Sequence, residues 1–523
     1  METRLTVPIS ARNLEGATQQ AFAAISAGAR MLELRTDYIE NLSGPLVRKL
    51  IEQIRASGAV RPIIVTCRDK REGGAIDYKL QPRLDVLTSA LAAGAEFVDF
   101  EYHNFLVPDS QEKILLALSR NPNARLILSV HSFKGRFANM RKLYRDIVAV
   151  YPAAIPKLVY TANHINECFD AFDLLHQTSG ERIVFCMGRA GLISRIVAKK
   201  LGSFVTFASV DDNSATAPGQ VTIAQFIKTY NYDGIDEQTE FYGVIGWPVA
   251  HSLSPAIHNA CFAQAGLNKV YLPLAVEDET EQFDAFMQNV CHRKWLDFKG
   301  FSVTIPHKEN ALDYVRRNRG FVEGLARRIG AVNTVLIQPD GRVSGYNTDY
   351  AGALNAITSA MGMSRAALRD MPIAVIGAGG VARAVVAGLA DVGAGIMIYN
   401  RTAKRGELLA EAFGCSFTPL KNVNELKAKL VINCTSIGMH PNVDATPLPQ
   451  ECITPDMAVF DTVYNPAETL LLRHAKQAGA KTIDGLSMFI NQACAQFELF
   501  TGENADRELM RRTICNCLWR TGL

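Results

Sequence analysis

The sequence predicts an α/β protein in which a (β/α)8 barrel is followed by a two-lobed region that contains a dinucleotide-binding parallel sheet. The chain has 523 residues, whereas single hydrophobic cores stop growing beyond about 250–300 residues, so two or three domains are expected. Eight short apolar runs alternate with segments of helical spacing over residues 1–210. A strand-like segment, a glycine-rich turn and a helix start follow one another at residues 373–383.

The composition is that of a globular protein and indicates no large charged partner. Hydrophobic residues make up 48% of the chain and charged residues 20%, which are ordinary values for globular domains. Because 55 basic residues nearly balance 52 acidic residues, the net charge is only +3, and neither nucleic-acid nor membrane-surface binding is expected. The expected partners are small-molecule substrates, and the oligomeric state is left open.

The cysteines and the N-terminal segment predict a cytoplasmic protein. The eleven cysteines are scattered, with no C-x-x-C pair and no histidine at ligand spacing, so we expect reduced thiols and no metal site. The segment METRLTVPIS lacks the organisation of a signal or transit peptide. The most apolar stretch, residues 373–399, contains charges and several glycines, so it is not expected to span a membrane.

The first part of the chain alternates between strand-like and helix-like segments. Near-continuous apolar strands that alternate with helices form parallel sheets, and eight such units in about 230 residues are typical of a TIM barrel. The apolar, β-branched runs lie at residues 5–10, 31–37, 62–68, 97–102, 125–131, 155–160, 182–188 and 204–209.

Polar side chains stand where a barrel of this kind places its active site, at the carboxyl ends of the strands. Glu33 and Arg35 end the second predicted strand, Arg68 ends the third and His131 ends the fifth. Lys157 lies within the sixth. Five residues on four strands that are distant in sequence therefore direct titratable groups to one barrel mouth.

Lys157 is the most informative of these residues because its strand, Ile-Pro-Lys-Leu-Val-Tyr, is otherwise apolar. Desolvation disfavours a charged ammonium group, and a neutral amine is the form that attacks a ketone to give a Schiff base. The alternatives are a lysine that reaches solvent and, for His131, a structural histidine at a strand end. The convergence of five polar residues from four strands favours the catalytic interpretation of both residues.

This part of the chain resembles type I 3-dehydroquinate dehydratases over about residues 1–230, through six motifs in family order. They are Glu33-Leu-Arg35-x-Asp37, Arg68-x-x-x-Glu72-Gly-Gly, Ser129-Val-His131, Ile-Pro-Lys157, Met187-Gly188 with Ile193-Ser-Arg195, and Ala217-Pro-Gly-Gln220.

The resemblance implies a role for each matching residue. Lys157 forms an imine with the substrate ketone, and His131 takes a proton from the neighbouring carbon and helps the hydroxyl leave as water. Arg195 holds the substrate carboxylate as a bidentate pair. Thr216 stands where the family usually has serine. The further substrate-binding residues implied are Glu33, Arg35, Arg68, Thr216 and Gln220.

The second part of the chain contains a dinucleotide-binding turn that favours NADP over NAD. The predicted strand at 373–376 is followed by the turn Gly377-Ala-Gly-Gly-Val381, whose glycines let the backbone approach a pyrophosphate at a helix N-terminus. The next strand ends in Asn400-Arg-Thr402, with Arg405 close behind, where NAD sites usually have a carboxylate. Arginines pair with a 2′-phosphate, which a carboxylate would repel. The alternatives are a glycine turn without a nucleotide and a solvated basic turn.

The region between these two parts suits a polyhydroxylated carboxylate as substrate. Small hydroxyl and amide side chains recur at several predicted turns of residues 241–345, and Lys308 and Asp349 offer an acid–base pair. Lys308 could instead be a surface lysine, and Asp349 could cap the helix that follows it.

Residues 241–523 resemble shikimate dehydrogenase through motifs that occur in family order. They are Ser252-Leu-Ser254-Pro, Ser302-Val-Thr304-Ile-Pro-His-Lys308, Ala-Val-Asn333-Thr, Tyr-Asn-Thr-Asp349, Asn433-Cys-Thr435-Ser-Ile-Gly, Asp461-Thr462-Val-Tyr464 and Asp484-Gly485-Leu-Ser-Met-Phe-Ile-Asn-Gln492. Ser302 departs from single-domain bacterial enzymes, which often have asparagine at that position.

This resemblance implies that Lys308, partnered by Asp349, protonates the ketone oxygen as NADPH delivers hydride. The implied substrate-binding residues are Ser252, Ser254, Thr304, Asn333, Asp349, Tyr464 and Gln492. The implied NADP-binding residues are Gly377, Ala378, Gly379, Gly380, Val381, Asn400, Arg401, Thr402, Arg405, Thr435, Thr462 and Gly485.

We therefore expect a dehydratase barrel at residues 1–232, a substrate-binding lobe at 240–345 that is completed by helices at about 486–523, and a Rossmann NADP-binding lobe at 346–485. The barrel would dehydrate 3-dehydroquinate to 3-dehydroshikimate, and the second half would reduce this product to shikimate. Three alternatives remain open: a quinate dehydrogenase as the second half, a different Schiff-base lyase or class I aldolase-like barrel, and a non-catalytic regulatory protein.

Overall fold

The computed structural model describes residues 3–56, 58, 61–211, 220–250 and 252–520. For residues 519 and 520 it describes the backbone only. The chain forms two compact units. The first consists of Met1–Glu240 with Asn268–Glu277 and Ala285–Arg293. The second consists of Phe241–Leu267, Asp278–Asp284 and Lys294–Leu523. Two short segments from the second half of the sequence thus belong to the first unit.

The first unit is built on eight parallel strands. They are β1 (Arg4–Ile9), β2 (Met31–Arg35), β3 (Ile63–Thr66), β4 (Phe97–Glu101), β5 (Arg125–Ser132), β6 (Ile155–Thr161), β7 (Ile183–Met187) and β8 (Val205–Phe207). Their spatial order is β7-β6-β5-β4-β3-β2-β1-β8. Beside the two end strands, the amide of Phe204 donates to the carbonyl of Arg182 over 2.8 Å, so the barrel is nearly closed. The predicted barrel is confirmed.

Helices connect the barrel strands, and several begin at residues that cap them. They are α1 (Leu14–Ala27), α2 (Gly44–Ala56), α3 (Leu80–Ala92), α4 (Tyr102–Phe105), α5 (Pro108–Ser119), α6 (Met140–Val150), α7 (Cys168–Gln177), α8 (Leu192–Lys200) and α9 (Ile223–Lys228). The side chains of Asn13 and Asn139 accept from free backbone amides in the first turns of α1 and α6, as capping residues do. Large side chains such as Ile127, Ile155 and Phe185 fill the barrel interior, so the barrel is a packed core.

The next elements in chain order include the mixed sheet of the second unit and its helices, while β10 and most of α11 belong to the first unit. They are β9 (Glu240–Gly246), α10 (Ser254–Gln264), β10 (Lys269–Ala275), α11 (Thr280–His292), β11 (Phe298–Val303), α12 (Lys308–Arg317), β12 (Phe321–Val322), α13 (Gly324–Ile329), β13 (Thr334–Ile337), β14 (Val343–Tyr346) and α14 (Asp349–Met361). In the second unit the strands follow the order β9-β11-β13-β14-β12, with β9 and β11 parallel and β11 and β13 antiparallel.

The remaining elements form a parallel sheet of the dinucleotide-binding type. They are β15 (Pro372–Ile376), α15 (Gly380–Asp391), β16 (Gly395–Asn400), α16 (Ala403–Phe413), β17 (Ser416–Pro419), β18 (Leu430–Asn433), β19 (Ala458–Asp461), α17 (Leu470–Gln477), β20 (Lys481–Ile483), α18 (Gly485–Thr501) and α19 (Arg507–Arg520). The strand order is β17-β16-β15-β18-β19-β20, which is the order of the Rossmann fold. The predicted Rossmann sheet is therefore confirmed.

The last two helices return to the mixed sheet. The hydroxyl of Tyr242 on β9 donates to the carbonyl of Phe500 on α18 over 3.1 Å. The side chain of Gln264, at the end of α10, donates to Asp506 just before α19 over 2.9 Å. Across the described part of the chain, no helix is both long and apolar enough to cross a membrane.

Two candidate active sites

Residues at the carboxyl ends of the barrel strands surround a cavity. All the predicted dehydratase residues that the structure describes line this cavity. They are Glu33, Arg35, Arg68, His131, Lys157, Arg195 and Gln220. Thr216 lies outside the described residues, as does most of its motif.

Lys157 lies inside the barrel, with only 3% of its surface exposed. Its Nζ donates to Asp99 Oδ2 over 2.8 Å and to Glu33 Oε1 over 3.3 Å, and it lies 4.6 Å from the centre of the Phe207 ring. The sequence of β6 is apolar around this lysine, but β2 and β4, neither of which is adjacent to β6, supply two carboxylates from across the barrel. The amine that would attack a ketone is therefore held between Glu33 and Asp99.

Asp99 is the centre of a buried polar network. Its oxygens accept from Lys157, from Arg68 Nη2 over 2.8 Å and from Ser129 Oγ over 2.6 Å. Burial opposes ionisation of this carboxyl, but Arg68 and Lys157 outweigh it and hold the pKa of Asp99 well below its usual range. Arg68 also donates to Glu101 Oε1 over 2.9 Å, so the two carboxylates of β4 compensate the buried cations.

Replacement of Asp99 by asparagine is expected to destabilise the barrel by about 3 kcal/mol, because it leaves two buried cations short of a counter-charge. Urea denaturation followed by circular dichroism measures this loss. Asp146→Asn is a matched control, since Asp146 forms an exposed pair with Lys142, and such pairs contribute about 0.5 kcal/mol or less. Equal effects of the two substitutions would contradict the assigned role of Asp99.

His131 is held in one orientation by Glu72. Both the backbone amide and the ring Nδ1 of His131 lie 2.9 Å from Glu72 Oε2. A carboxylate at Nδ1 fixes the proton on that nitrogen, so Nε2 is left as the basic nitrogen for the cavity. Burial and the charge of Arg68 lower the pKa of His131 below its usual value, although Glu72 opposes them. His131 therefore stays neutral, and able to act as a base, down to a lower pH than an exposed histidine does.

Arg195, on α8, is 1% exposed and has unused donors. Its Nη1 donates weakly to the carbonyl of Phe207 over 3.5 Å, and its guanidinium lies 4.7 Å from the centre of the Phe185 ring. Among the described residues, its Nε and Nη2 have no hydrogen-bond partner. Burial lowers the pKa of Arg195 to about 10. An arginine remains charged at that value, so the site fits an incoming carboxylate.

The second unit contains a separate cavity. It is lined by every residue predicted to bind the second substrate and by three of those predicted to bind the cofactor. The first group is Ser252, Ser254, Thr304, Asn333, Asp349, Tyr464 and Gln492, and the second is Val381, Thr462 and Gly485.

Lys308 and Asp349 form the acid–base pair of this cavity. Lys308 is the first residue of α12, and its Nζ donates to Asp349 Oδ2 over 2.6 Å. Asp349 is the first residue of α14, and its Oδ1 accepts from Asn333 Nδ2 over 2.9 Å. Both partners are partly buried, with side chains 23% and 13% exposed. The ammonium group is thus held at the cavity wall with a fixed counter-ion.

Ser302 and Gln496 form a second polar contact on the wall of the same cavity. Ser302 Oγ lies 2.7 Å from Gln496 Oε1, and Gln496 Nε2 donates to Thr334 Oγ1 over 3.2 Å. The sequence gives no role to Gln496, which is one turn of α18 beyond Gln492. Gln492 and Gln496 are four residues apart, which places both on one helix face. This spacing is the sequence signal that could have identified Gln496 as a residue of the cavity wall.

The glycine turn of the second unit fits a dinucleotide. Gly377 has φ +118°, and a Cβ there would lie 3.1 Å from the carbonyl oxygen of Cys434, so glycine is required. A Cβ at Gly379 or Gly380 would meet no described atom within 4 Å. The turn, which includes Ala378, therefore faces open space at the N-terminus of α15, where backbone amides favour a phosphate.

The end of β16 carries the predicted basic turn. The side chain of Asn400 donates to the carbonyl of Thr402 over 2.8 Å and shapes this turn. Arg401, Thr402 and Arg405 are exposed beside it. Thr435 and Thr462 follow β18 and β19, and their hydroxyls donate to Asn433 over 2.7 and 2.9 Å. No group of three or more His, Cys, Asp or Glu arranged to hold a metal ion occurs within the described ranges.

Comparison with known proteins assigns families to both halves. Residues 5–237 match the model of type I 3-dehydroquinase. Residues 244–335 match the substrate-binding domain of shikimate dehydrogenase, 361–448 match shikimate / quinate 5-dehydrogenase, and 485–515 match the C-terminal domain of shikimate 5'-dehydrogenase.

Individual relatives agree with these matches. A chloroplastic bifunctional 3-dehydroquinate dehydratase/shikimate dehydrogenase of Arabidopsis thaliana is 34% identical over 530 residues, which is 97% of this chain and 83% of the relative. The NADP(+) shikimate dehydrogenase of Methanosarcina acetivorans is 40% identical over 288 residues, which is 53% of this chain and 98% of the relative. A crystal structure of shikimate dehydrogenase in complex with NADP+ is 38% identical, with a TM-score of 0.50, and the match covers 54% of this chain and 96% of that one.

Proposed function

Since the chain belongs to the family of bifunctional 3-dehydroquinate dehydratase/shikimate dehydrogenases, we propose that its two halves catalyse consecutive reactions. The barrel dehydrates 3-dehydroquinate to 3-dehydroshikimate, and the second half reduces that product to shikimate with NADPH. The observation that carries this proposal is that each unit has its own cavity with its own acid–base set, Lys157 with His131 in one and Lys308 with Asp349 in the other.

In the barrel, Lys157 attacks the substrate ketone and forms an imine with loss of one water. The imine withdraws electrons from the neighbouring carbon, and His131 Nε2 removes a proton there. His131 then returns the proton to the departing hydroxyl, which leaves as a second water. Hydrolysis of the imine regenerates Lys157. Arg195 binds the substrate carboxylate with its unused donors, and Glu33, Arg35, Arg68, Thr216 and Gln220 complete the substrate site.

In the second half, Lys308 protonates the ketone oxygen of 3-dehydroshikimate, and Asp349 holds the ammonium group in place. NADPH, when bound, would supply hydride to the ketone carbon. Ser252 and Ser254 bind the substrate carboxylate through their hydroxyls, and the ring hydroxyls contact Thr304, Asn333, Asp349, Tyr464 and Gln492.

The cofactor is NADP, as in the relatives named for NADP(+). We propose that the twelve residues implied by the family motifs hold it, with the glycine turn at the pyrophosphate and the basic turn after β16 at the 2′-phosphate. Their fit is supported by the open space beside Gly379 and Gly380 and by the exposure of Arg401 and Arg405.

Replacement of Arg401 or Arg405 by alanine is expected to raise the KM for NADPH about tenfold, because each removes a charge-assisted bond of about 1.4 kcal/mol. The KM for NADH should change little, since NADH lacks the 2′-phosphate. Steady-state kinetics with both cofactors measure this, with Lys427→Ala, an exposed lysine before β18, as control. Equal losses with both cofactors would contradict a 2′-phosphate site.

We also propose the domain division predicted from the sequence, with the barrel at 1–232, the substrate lobe at 240–345 completed by 486–523, and the NADP lobe at 346–485. The family matches at 5–237, 244–335, 361–448 and 485–515 support it. A cytoplasmic location is likewise a proposal. It is supported by eleven free cysteines, and cell fractionation tests it against the chloroplast location stated for the Arabidopsis relative.

Quinate is not favoured as the second substrate, because the relatives named above are described as shikimate dehydrogenases. A comparison of kcat/KM for shikimate and quinate decides between them. The non-catalytic alternative predicts ligand binding without turnover of either substrate.

The direct test of the proposed function is a coupled assay on the purified chain with 3-dehydroquinate and NADPH. NADPH oxidation that depends on 3-dehydroquinate and yields shikimate is the expected result. NADPH oxidation with 3-dehydroshikimate but not with 3-dehydroquinate would overturn the function proposed for the barrel and leave that of the second half standing.

A further inference from the structure

The carboxylate of Glu72 lies between two histidines. Its Oε2 accepts from the backbone and Nδ1 of His131, and its Oε1 lies 3.1 Å from Nδ1 of a second histidine, His103. His103 is on α4, directly after β4, with a side chain 37% exposed. The proposed dehydration uses His131 but gives no role to His103.

The contacts of His103 determine which nitrogen donates. Arg71 Nη2 lies 2.6 Å from His103 Nε2. A guanidinium can only donate, so Nε2 accepts in this geometry and the proton of the neutral ring is on Nδ1. Nδ1 therefore donates to Glu72 Oε1. Asp69 accepts from the backbone amide and side chain of Arg71, over 2.8 to 3.1 Å, and keeps the guanidinium in place.

The charges around these groups keep Glu72 ionised. Burial opposes ionisation of Glu72, but the hydrogen bonds from His103 and then His131 outweigh it and lower the pKa of this carboxyl to about 2. The hydrogen bond to Glu72 raises the pKa of His103, with smaller opposing effects of burial and Arg71. Asp69 Oδ2 lies 3.6 Å from His103 Nε2, and Glu101 adds a weaker attraction.

We propose that His103 is a positioning residue for dehydration, which donates to Oε1 of Glu72 so that Oε2 stays directed at His131. This inference rests on the proposed function of the barrel. Without His103, Glu72 loses one hydrogen-bond donor. Its negative charge is then less neutralised and stabilises the protonated form of His131 more strongly. Because Glu72 raises the pKa of His131, that pKa then increases, and a smaller fraction of the base is neutral at acidic pH.

The test compares His103→Leu, which removes the donor, with His103→Asn, which retains a side-chain N–H near the position of Nδ1. His103→Leu is expected to lower the kcat for dehydration about tenfold, as loss of an outer hydrogen-bond partner does, with KM nearly unchanged and the acidic limb of the pH profile moved to higher pH. His103→Asn should restore most of the kcat. NMR titration of His131 reports the same rise in pKa without depending on turnover.

His164→Leu is the matched control. His164 is a barrel histidine of similar exposure, 34%, that lies 3.7 Å from Glu167, and neither residue lines the cavity. Reduction of 3-dehydroshikimate by each preparation reports whether that half of the protein is intact. If His103→Leu does not fold, Arg71→Met removes the donor to Nε2 and should shift the His131 titration in the same direction.

An unchanged kcat, pH profile and His131 titration in His103→Leu would overturn the inference. So would a His103→Asn variant as impaired as His103→Leu, because the role would then not be hydrogen bonding. Failure of the native chain to dehydrate 3-dehydroquinate would instead overturn the proposed function, and the NMR comparison would still decide the role of His103.

Discussion

Replacement of Lys157 by methionine is expected to abolish dehydration of 3-dehydroquinate, with a loss of kcat of roughly four orders of magnitude or more. Removal of a covalent nucleophile has effects on that scale, and among the described residues the other lysines do not line the barrel cavity. Reduction of 3-dehydroshikimate by NADPH should remain near the native rate, since that reaction uses the cavity of the second unit. Separate assays of the two half-reactions measure both effects.

Lys142→Met is the matched control for this substitution. Lys142 donates to Asp146 over 2.6 Å on the exposed face of α6, so it is a barrel lysine paired with an aspartate but distant from the chemistry. It should leave both activities unchanged. Substantial dehydration by Lys157→Met would contradict the imine mechanism.

Borohydride treatment adds covalent evidence. In the presence of 3-dehydroquinate it should reduce the imine and attach the ligand to Lys157, as mass spectrometry of the peptide would show. A class I aldolase-like barrel would also be trapped, so trapping alone does not separate the two. Identification of 3-dehydroshikimate as the product does.

Replacement of Lys308 by alanine is expected to lower the kcat for NADPH oxidation about 10²–10⁴-fold, the contribution of a positioned general acid. Dehydration by the barrel should stay near normal, because the barrel residues and the second-unit residues line different cavities. NADPH oxidation with 3-dehydroshikimate and formation of 3-dehydroshikimate from 3-dehydroquinate measure the two activities on the same preparation.

Lys299→Ala provides the comparison for this variant. Lys299 donates to Asp297 over 2.9 Å and is 38% exposed, so it is a lysine–aspartate pair of the same unit outside the cavity. Its loss should leave NADPH oxidation unchanged. A large loss of dehydratase activity in Lys308→Ala would count against independent active sites.

Much of the fold could be predicted from the sequence because its strong signals are local. Apolar, β-branched runs and glycine turns depend on residues within one element, and they predicted the eight barrel strands and the Rossmann turn. Lys157 and Lys308 also stand out locally, one as a charge in an apolar strand and the other within a family motif.

Asp99 and Glu101 were missed although they carry the same local signal as Lys157. They alternate in the apolar strand Phe-Val-Asp-Phe-Glu, so both point to one side of β4. What the strand cannot indicate is which cations they meet. Lys157 is 58 residues from Asp99 in sequence, and closure of the barrel brings them together.

The sequence by itself therefore determined the two-part α/β architecture and the candidate nucleophile, base and proton donor of the two reactions. Only the tertiary structure decided how these groups are supported. His131 is 59 residues from Glu72, and Ser302 is 194 residues from Gln496. Periodicity shows which side of an element a residue faces, whereas the partner it meets depends on how distant elements pack, and no pattern within one element records that.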